Sequence, residues 1–406
     1  MKIDLNSLKL NVDDIWQRNL IFLAVSQFIA MMGMNACVPF LPLYIRELGV
    51  VGVSSQRFWS GLVFSGPYIL SIVFVPIWGS LADRYGRKLM IIRAILGLAI
   101  AMFLMGFARN VFELFLLRVF QGASSGFIAA NLGFTVSNTP ADRKGYAVGF
   151  LQSSQSAGAI AGPILGGFVS DLLGFREVFF AVAILCLISA LLIIIFVKEI
   201  NKTNVENSER TLHVFKMIIR DPKYRYPMIM ITLGQIGIFL TFPILPYFLE
   251  QLGAPPKILS SITGLAIGLS SIFNIVFAPI WGRWSDKYSV VKLLKSSSLI
   301  LTITFFLHSI SISYFLILAL RALVGLSIAG LVPILYSHLG KIGDTEKIGV
   351  IMGFASSATL FGSLVAFLGS ALISPLMSMN WLFVLSAGIL SITFFLSKRI
   401  QQGSEK

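Results

Sequence analysis

Charged side chains are scarce in this chain, and acidic ones are the scarcest. Its 406 residues hold 18 Asp and Glu against 32 Lys and Arg, with only two cysteines and three histidines. Two cysteines are too few for a disulfide framework, and no spacing of His, Cys, Asp or Glu suits a metal site. A phosphate loop, a nucleophile elbow and a pair of acid–base carboxylates are also missing. We therefore expect no enzymatic catalysis and no cofactor.

Long apolar runs are what the chain has instead. Hydrophobic residues make up 56% and charged residues 12% of it, whereas soluble domains average roughly a quarter charged residues. About 20 apolar residues are enough to cross the hydrocarbon layer as a helix. The sequence predicts an all-α membrane protein with twelve transmembrane helices, at 19–45, 60–82, 88–108, 111–137, 145–170, 177–197, 227–249, 259–283, 292–311, 313–338, 347–372 and 380–397.

The predicted helices divide into two bundles of six. The longest non-apolar stretch, 198–226, falls between the sixth and seventh helices and predicts a linker, in which 213–221 resembles a short surface helix. The predicted organisation is a cytoplasmic N-terminus, an N-terminal bundle, a cytoplasmic linker, a C-terminal bundle and a cytoplasmic tail, at 1–18, 19–197, 198–226, 227–397 and 398–406.

An internal duplication relates the two bundles. The segment VPIWGSLADRYGRK at 75–88 returns as APIWGRWSDKYSVV at 278–291, a spacing of 203 residues. PFLPLYIRELGV at 39–50 returns at a spacing of 204 as PILPYFLEQLGA. Two homologous apolar halves are typical of transporters in which one half moves against the other around a site at their interface. A tandem membrane domain without a transport role is the alternative.

The basic residues follow membrane topology. With the N-terminus inside, 25 of the 32 Lys and Arg lie on the cytoplasmic side, as the positive-inside rule describes. We therefore expect both termini in the cytoplasm. The net charge of +14 then reflects orientation and not nucleic-acid binding.

The loop between the second and third helices carries a specific motif. GSLADRYGRK at 79–88 resembles the signature loop of the major facilitator superfamily. Its carboxylate ends the second helix, where it suits charge-assisted contacts with a neighbouring helix N-terminus or an arginine, and its first glycine permits close helix approach. The resemblance implies two pseudosymmetric six-helix bundles and a latch that forms in one access state and breaks in the other. The expected latch residues are Gly79, Asp83, Arg84, Gly86, Arg87 and Lys88, with Asp286 in the second copy.

The second copy of this loop is degenerate. It keeps a glycine, an aspartate and a lysine, but Ser289, Val290 and Val291 replace the Gly-Arg-Lys of the first copy. For the cations of the first copy, anchoring the loop on the cytoplasmic side is an alternative to a latch.

Two arginines lie within predicted membrane helices. Arg118, in LLRVFQGASSG at 116–126, resembles the intramembrane arginine of the same family, and Arg321 has the equivalent place in the second half. An arginine inside the membrane costs about 2.5–3.5 kcal/mol on insertion scales, so each should face a hydrated cavity or a partner. We expect Arg118, Arg321, Gln121 and Glu113 to take part in substrate or proton coupling. A structural ion pair of Arg118 with Glu113 is the alternative.

The fifth helix carries GAIAGPILGG at 158–167, which resembles the antiporter motif of this superfamily. Glycines every four residues give a flat face for close packing, and a proline removes one backbone donor and bends the helix. The corresponding segment of the second half, GSLVAFLGS at 362–370, lacks the Gly-Pro pair. The expected packing residues are Gly158, Gly162, Pro163, Gly166 and Gly167.

Polar and aromatic side chains at helical spacing predict a cavity lining. Gln27, Met31 and Asn35 recur every four residues on the first helix, where many family members that export cationic drugs have a carboxylate. Polar contacts between packed helices are the alternative. The other candidates are Gln152 and Gln155 on the fifth helix and Gln235, Phe239 and Phe242 on the seventh.

Together these motifs resemble the twelve-helix drug:proton antiporter branch of the superfamily. The resemblance implies a monomeric, proton-driven exporter of small amphipathic compounds in the inner membrane. Its partners would be the substrate, protons and membrane lipids, without nucleic acid. The missing first-helix carboxylate leaves open a dedicated exporter of an anionic metabolite or siderophore, or a lipid flippase. A non-transporting membrane receptor is the third interpretation.

Overall fold

The computed structural model describes residues 14–199, 217–218, 220–342 and 348–401, without the side chains of Asp83, Asp286 and Gln401. Helices joined by short turns make up nearly all of this part. They are α1 (Ile15–Ala36), α2 (Leu41–Glu47), α3 (Val53–Tyr85), α4 (Arg87–Gly106), α5 (Val111–Ala123), α6 (Phe127–Asn138), α7 (Lys144–Leu173), α8 (Phe175–Phe196), α9 (Pro222–Phe239), α10 (Leu245–Gln251), α11 (Leu259–Lys287), α12 (Val290–Ser309), α13 (Tyr314–Ile342), α14 (Ile348–Ile373) and α15 (Met379–Gln401).

Twelve segments of the described chain are helical, long and apolar enough to cross a membrane. This confirms the predicted all-α fold with twelve membrane-spanning segments. Most of the predicted N-terminal segment 1–18, most of the surface helix predicted at 213–221 and the residues after 401 lie outside the described part of the chain.

The first predicted span, 19–45, is wrong at its end, because α1 stops at Ala36. A continued helix would place the ring of Pro39 against the carbonyl of the residue four positions earlier, and proline has no N–H to donate. The chain turns there and starts again as α2, with Pro42 in its first turn.

The seventh predicted span, 227–249, breaks in the same way. Helix α9 ends at Phe239 and α10 begins at Leu245. Pro243 and Pro246 follow the prolines of the first break at a spacing of 204 residues. Phe242 lies in one turn of 3-10 helix between the two helices, within the seventh membrane-spanning segment Pro222–Gln251.

The fourth predicted span, 111–137, is two helices and not one. Helix α5 ends at Ala123 and α6 begins at Phe127. Gly126 has φ +105°, a left-handed conformation that glycine adopts without strain. The carbonyl of Ser125, released by the break, accepts a hydrogen bond from Arg93 Nη2 at 2.7 Å.

Helices α1–α8 and α9–α15 form two bundles that meet along two seams, α7 with α11 and α3 with α14. We call the end of the molecule that carries α2 and α10 the closed end, since the contacts of both seams lie there. The opposite end, where α3 turns into α4 and α11 into α12, is the open end. An added Cβ would find no neighbouring group within 4 Å there at Gly79, Gly149, Gly282 or Gly353. The halves thus touch at one end and part at the other.

Candidate functional site

The seam between α7 and α11 is built from backbone contacts. Added Cβ atoms at Gly167 and Gly264 would collide with the carbonyl oxygens of Ser260 and Pro163, respectively. Main-chain atoms of packed helices cannot move aside as flexible side chains do, so only glycine fits at both positions. The predicted Gly-Pro segment therefore lies at the contact between the two halves.

Asp171 adds a polar contact across the same seam. Its carboxylate accepts hydrogen bonds from the backbone N–H groups of Ser260 at 3.3 Å and Ser261 at 2.6 Å, in the first turn of α11. A carboxylate is favourable there, because the first N–H groups of a helix have no internal partner and carry the positive end of its dipole. Sequence reasoning missed this residue, although it follows the glycine motif directly.

The other face of α7 packs on α1. Added Cβ atoms at Gly158 and Gly162 would each lie 2.5 Å from a carbonyl oxygen of α1, and Gly166 abuts α1 in the same way. Helix α7 is therefore held between α1 of its own half and α11 of the other half. A displacement on one of its faces must be accommodated on the other.

An aromatic cluster joins α3 and α14 near the middle of α3. The ring of Phe64 stacks on that of Phe367 with centres 5.5 Å apart, and Tyr68 meets the same ring at 5.3 Å. Two predicted lining residues complete the cluster, since Phe239 lies 5.6 Å from Phe367 and Phe242 lies 6.0 Å from Phe64. The cluster thus takes rings from both halves.

Polar contacts complete the closed end. The guanidinium of Arg57 donates to a carbonyl of the other half at 2.6 Å, and the Tyr247 hydroxyl donates to the Pro42 carbonyl at 2.6 Å. At the surface, Arg46 and Glu250 form a two-pronged ion pair with N–O distances of 3.0 and 2.6 Å. These last two residues are 204 positions apart and so occupy equivalent places in the two halves.

Arg118 is buried beside the aromatic cluster. Its guanidinium carbon lies 6.0 Å from the centre of the Phe64 ring, and Nη1 donates to Gln121 Oε1 at 2.8 Å. The structure thus brings together two predicted coupling residues with the cluster. No carboxylate of the described residues forms an ion pair with this guanidinium.

Glu113 is engaged elsewhere, so the interpretation of an Arg118–Glu113 ion pair is wrong. The Glu113 carboxylate accepts a hydrogen bond from the Arg109 N–H at 2.9 Å and another from Asn110 Nδ2 at 3.0 Å. Asn110 in turn accepts from the Glu113 N–H, which completes a reciprocal cap at the start of α5. The carboxylate faces away from Arg118 because it serves the helix terminus.

Arg321 is 3% exposed, about as buried as Arg118 at 4%. Its Nε and Nη2 have no hydrogen-bond partner among the described residues. The two arginines therefore bring two positive charges into the membrane-spanning region without a counter-charge in the described part of the chain.

Of the predicted lining of the first helix, Gln27 makes polar contacts between packed helices, as in the alternative interpretation. Gln27 is buried, and its Oε1 accepts from Asn131 Nδ2 at 2.7 Å while its Nε2 donates to Gln155 Oε1 at 3.3 Å. Met31 and Asn35 are half-buried and pack against the glycine face of α7. Sequence reasoning missed Asn131, an amide in the middle of the mostly apolar helix α6.

Two predicted lining residues remain. Gln152 is exposed on the open-end half of α7. Gln235 is buried, with its Oε1 unpaired among the described residues. An added Cβ at Gly362 would lie 2.8 Å from the Cβ of Gln235. The second half therefore repeats, between α9 and α14, the glycine packing of α1 on α7.

The predicted latch loop is capped by a residue that sequence reasoning missed. The Glu199 carboxylate accepts hydrogen bonds from the N–H groups of Arg87 at 2.8 Å and Lys88 at 3.2 Å, and so caps α4. Gly86 has φ +101°, which favours glycine at this corner. The Arg87 side chain donates to the Gly133 carbonyl. The sequence feature that could have identified Glu199 is its position, as an acidic residue directly after an apolar helix and at the start of a mostly basic linker.

The other latch residues make few contacts in this state. Arg84 is exposed and lies over the ring of Tyr85 at 5.4 Å. Gly79 does not make the close helix contact that we expected, because the halves are apart at the open end. The side chains of Asp83 and Asp286 lie outside the described part.

Known proteins resemble the chain over nearly its whole length. A sequence profile of the Major Facilitator Superfamily matches residues 23–263 and 227–402. Multidrug resistance protein MdtG of Citrobacter koseri is 30% identical over 377 residues, 92% of either chain.

Solved structures show the same fold at low identity. A bacterial homologue of the human lysosomal transporter Spinster has a TM-score of 0.79 at 12% identity, covering 97% of this chain and 99% of its own. The nucleoside transporter NupG has a TM-score of 0.75 at 15% identity, covering 94% and 99%. Profile, relative and fold agree with the duplicated twelve-helix architecture, and the chain belongs to the Major Facilitator Superfamily.

Proposed function

We propose that the chain exports small amphipathic compounds in exchange for protons, as a multidrug efflux transporter of the drug:proton antiporter branch. The observation that carries the proposal is the one-sided seam, since halves that meet at one end and part at the other are what alternating access requires. The relative named multidrug resistance protein supports drug efflux. The protein is then a multi-pass inner-membrane transporter and not an enzyme, and the proton gradient takes the place of a cofactor.

The charge distribution supports an orientation for this cycle. The loops of the open end are rich in Lys and Arg, which favours the cytoplasmic side. Both termini then lie in the cytoplasm, and the gap between the halves faces the side from which an exported compound enters. One chain supplies both halves and both seams, which supports a monomer.

The aromatic cluster with Arg118 is the proposed binding region. It lies about halfway along the membrane-spanning helices, where substrate sites of such transporters occur. Flat rings contact the apolar body of an amphipath, and a buried guanidinium with a single amide partner orients a polar or anionic group.

Proton coupling is proposed to run through Asp83 or through a titratable group of the substrate itself. The driving force is sufficient, since each charge that crosses contributes about 2.3 kcal/mol per 100 mV of membrane potential. The described helices offer no carboxylate as deep in the membrane as the two arginines, so the carboxylate of the latch motif is the protein group that we propose.

The main test is transport in proteoliposomes with an imposed pH gradient. We expect concentrative movement of a lipophilic dye together with proton flux, and loss of dye movement in Arg118→Ala with recovery in Arg118→Lys. A rate of dye movement that does not depend on the imposed pH gradient would contradict proton coupling. A receptor without transport activity would show neither flux.

Substrate charge separates multidrug efflux from the alternative of a dedicated exporter of an anionic metabolite or siderophore, or a lipid flippase. Two buried arginines without a described counter-charge favour anionic, zwitterionic or neutral amphipaths. Binding competition in detergent between matched anionic and cationic amphipaths, repeated with Arg321→Ala, tests this preference. A cation preference that Arg321→Ala leaves unchanged would contradict it.

A further inference from the structure

A cavity of ≈ 340 Å³ lies at the open end of α11, lined by Ile280, Arg283, Trp284 and Lys287. We propose that this cavity binds the headgroup of an anionic phospholipid. Such a site is separate from the seam and from the aromatic cluster, and it goes beyond the proposed transport function.

The cavity faces away from the neighbouring helices. Gly268 faces α7, where an added Cβ would lie 2.6 Å from Ile164, and Trp281 donates to the Leu326 carbonyl of α13 at 2.9 Å. Successive residues of a helix are rotated by about 100° around its axis. Around the axis of α11, Lys287 therefore lies between the two contact directions, roughly 100° from that of Gly268 and roughly 120° from that of Trp281. The cavity therefore opens on the outer surface of the bundle.

An apolar stripe leads along the membrane to this cavity. Leu265, Val276 and Lys287 recur every eleven residues, close to three turns, so they follow one another along α11. Leu265 is 42% and Val276 57% exposed, on the same side as the cavity. Acyl chains can therefore lie against the stripe while the headgroup reaches the cations at its end.

The chemistry of the lining suits a phosphodiester. Arg283 and Lys287 are exposed, one turn apart, and neither has a partner among the described residues. A guanidinium binds phosphate oxygens with two parallel hydrogen bonds, and an ammonium adds a point charge. The ring of Trp284 suits the headgroup level, where tryptophan is enriched.

The first half shows what the second half lacks at this corner. In the first half, the Glu199 carboxylate caps the helix that follows the loop. In the second half, α12 begins at Val290, and its N-cap residue Ser289 makes no side-chain capping hydrogen bond among the described residues. Residues 203 positions before Arg283 and Trp284 are Ser80 and Leu81, so the extra cation and the tryptophan occur in the second half alone. The second cation beside the cavity is thus specific to the second half, and a pair of exposed cations suits an anionic group.

Native mass spectrometry of the purified full-length protein tests the proposal. The probes are palmitoyl-oleoyl phosphatidylglycerol, the matching phosphatidylcholine, and inorganic phosphate. We expect phosphatidylglycerol to be retained over phosphatidylcholine. Arg283→Gln combined with Lys287→Gln should weaken that retention about thirtyfold, because each cation near an anionic membrane surface contributes about fivefold in affinity. Lys144→Gln, at an exposed lysine of the same end, should leave it unchanged.

A second measurement uses phosphatidylglycerol with brominated acyl chains, which quenches nearby tryptophan fluorescence. We expect less quenching in Trp284→Phe than in the parent protein. Equal retention of both lipids, full retention by the double variant, or displacement of the lipid by inorganic phosphate at equal concentration would each overturn the lipid site. Elution of the double variant, of Lys144→Gln and of Trp284→Phe at the volume of the parent protein in size-exclusion chromatography shows that they are folded.

Discussion

The two ends of α7 differ although they belong to one continuous helix. Toward the closed end, Gly162 and Gly167 press on backbone atoms of two different helices. Toward the open end, Gly145 and Gly149 have no neighbouring group within 4 Å. The difference arises from the partners and not from the helix, because glycine is present at both ends.

This contrast indicates how the molecule closes. Contacts between backbones have little tolerance, since no side chain can adapt to a gap or an overlap. A seam of this kind is either fully formed or absent, as a two-state transporter needs. The exposed Arg46–Glu250 ion pair at the surface of the closed end, which we call the rim, tolerates small displacements and contributes less to the stability of the closed end. Four predictions test this ranking, from the largest expected effect to the smallest.

The first prediction concerns the open end in the opposite state. Asp83→Asn should abolish transport while membrane insertion and substrate binding remain, because the latch carboxylate loses its charge-assisted contacts. Asp142→Asn is the matched control, since that carboxylate is exposed at the same end and among the described residues pairs only with its neighbour Arg143, at 3.4 Å. The measurement is vesicle transport alongside equilibrium binding. Full transport by Asp83→Asn would refute the latch.

The second prediction tests the backbone contact of α7 with α1. Gly162→Leu should lower the thermal midpoint in detergent and give a transporter that leaks protons or stalls, because overpacking costs about 1–3 kcal/mol and often more against main-chain atoms. Gly149→Leu, on the same helix, should change the midpoint little. Normal coupling in Gly162→Leu would show that close packing there is unimportant.

The third prediction addresses Asp171. Asp171→Asn should loosen the closed end, because hydrogen bonds to a charged group contribute about 1.5–3 kcal/mol and the amide keeps only part of that. Spin labels at Val51→Cys and Lys257→Cys, both at exposed positions of the closed end, report the separation of the halves. We expect a larger population of long distances in the variant. An unchanged distance distribution would mean that the backbone seam suffices without the carboxylate.

The smallest effect is expected at the rim. The hydrogen bond to Glu250 raises the pKa of Arg46 above its ordinary value. The two side chains are 41% and 30% exposed, and exposed ion pairs contribute only about 0.2–1 kcal/mol. A double-mutant cycle of Arg46→Gln and Glu250→Gln, read by thermal unfolding, should return a coupling energy in this range. A coupling energy several times larger would place the rim on a par with the seam.

The helices were predictable from the sequence because twenty apolar residues have few alternatives in a membrane. The positions at which three of these predicted helices break were harder to predict. Pro39 and Pro243 mark two of them, and a reading by hydropathy alone passed over both. Gly126 marks the third, but a glycine within an apolar helix has many roles, and only its left-handed conformation in the structure reveals a break.

The candidate site divides in the same way. The sequence predicted a flat glycine face at 158–167. It did not predict the helices that pack on this face, because close packing depends on which helix lies opposite. The capping roles of Glu199 and Asp171 were not predicted, because each residue caps a helix that is distant in the sequence. The Arg118–Glu113 pair failed because the nearer partner of Glu113 was the terminus of its own helix.

By itself the sequence determined the twelve spans, their division into two related halves and the bias of basic residues toward one side. These properties follow from local hydropathy, charge and repetition, which need no knowledge of neighbours. Only the tertiary structure decided which end of the gap is closed, that Phe64 and Phe367 from different halves stack, and that Arg118 lies beside them. Those features depend on contacts between residues far apart in the chain, and a sequence pattern carries no record of the distance between them.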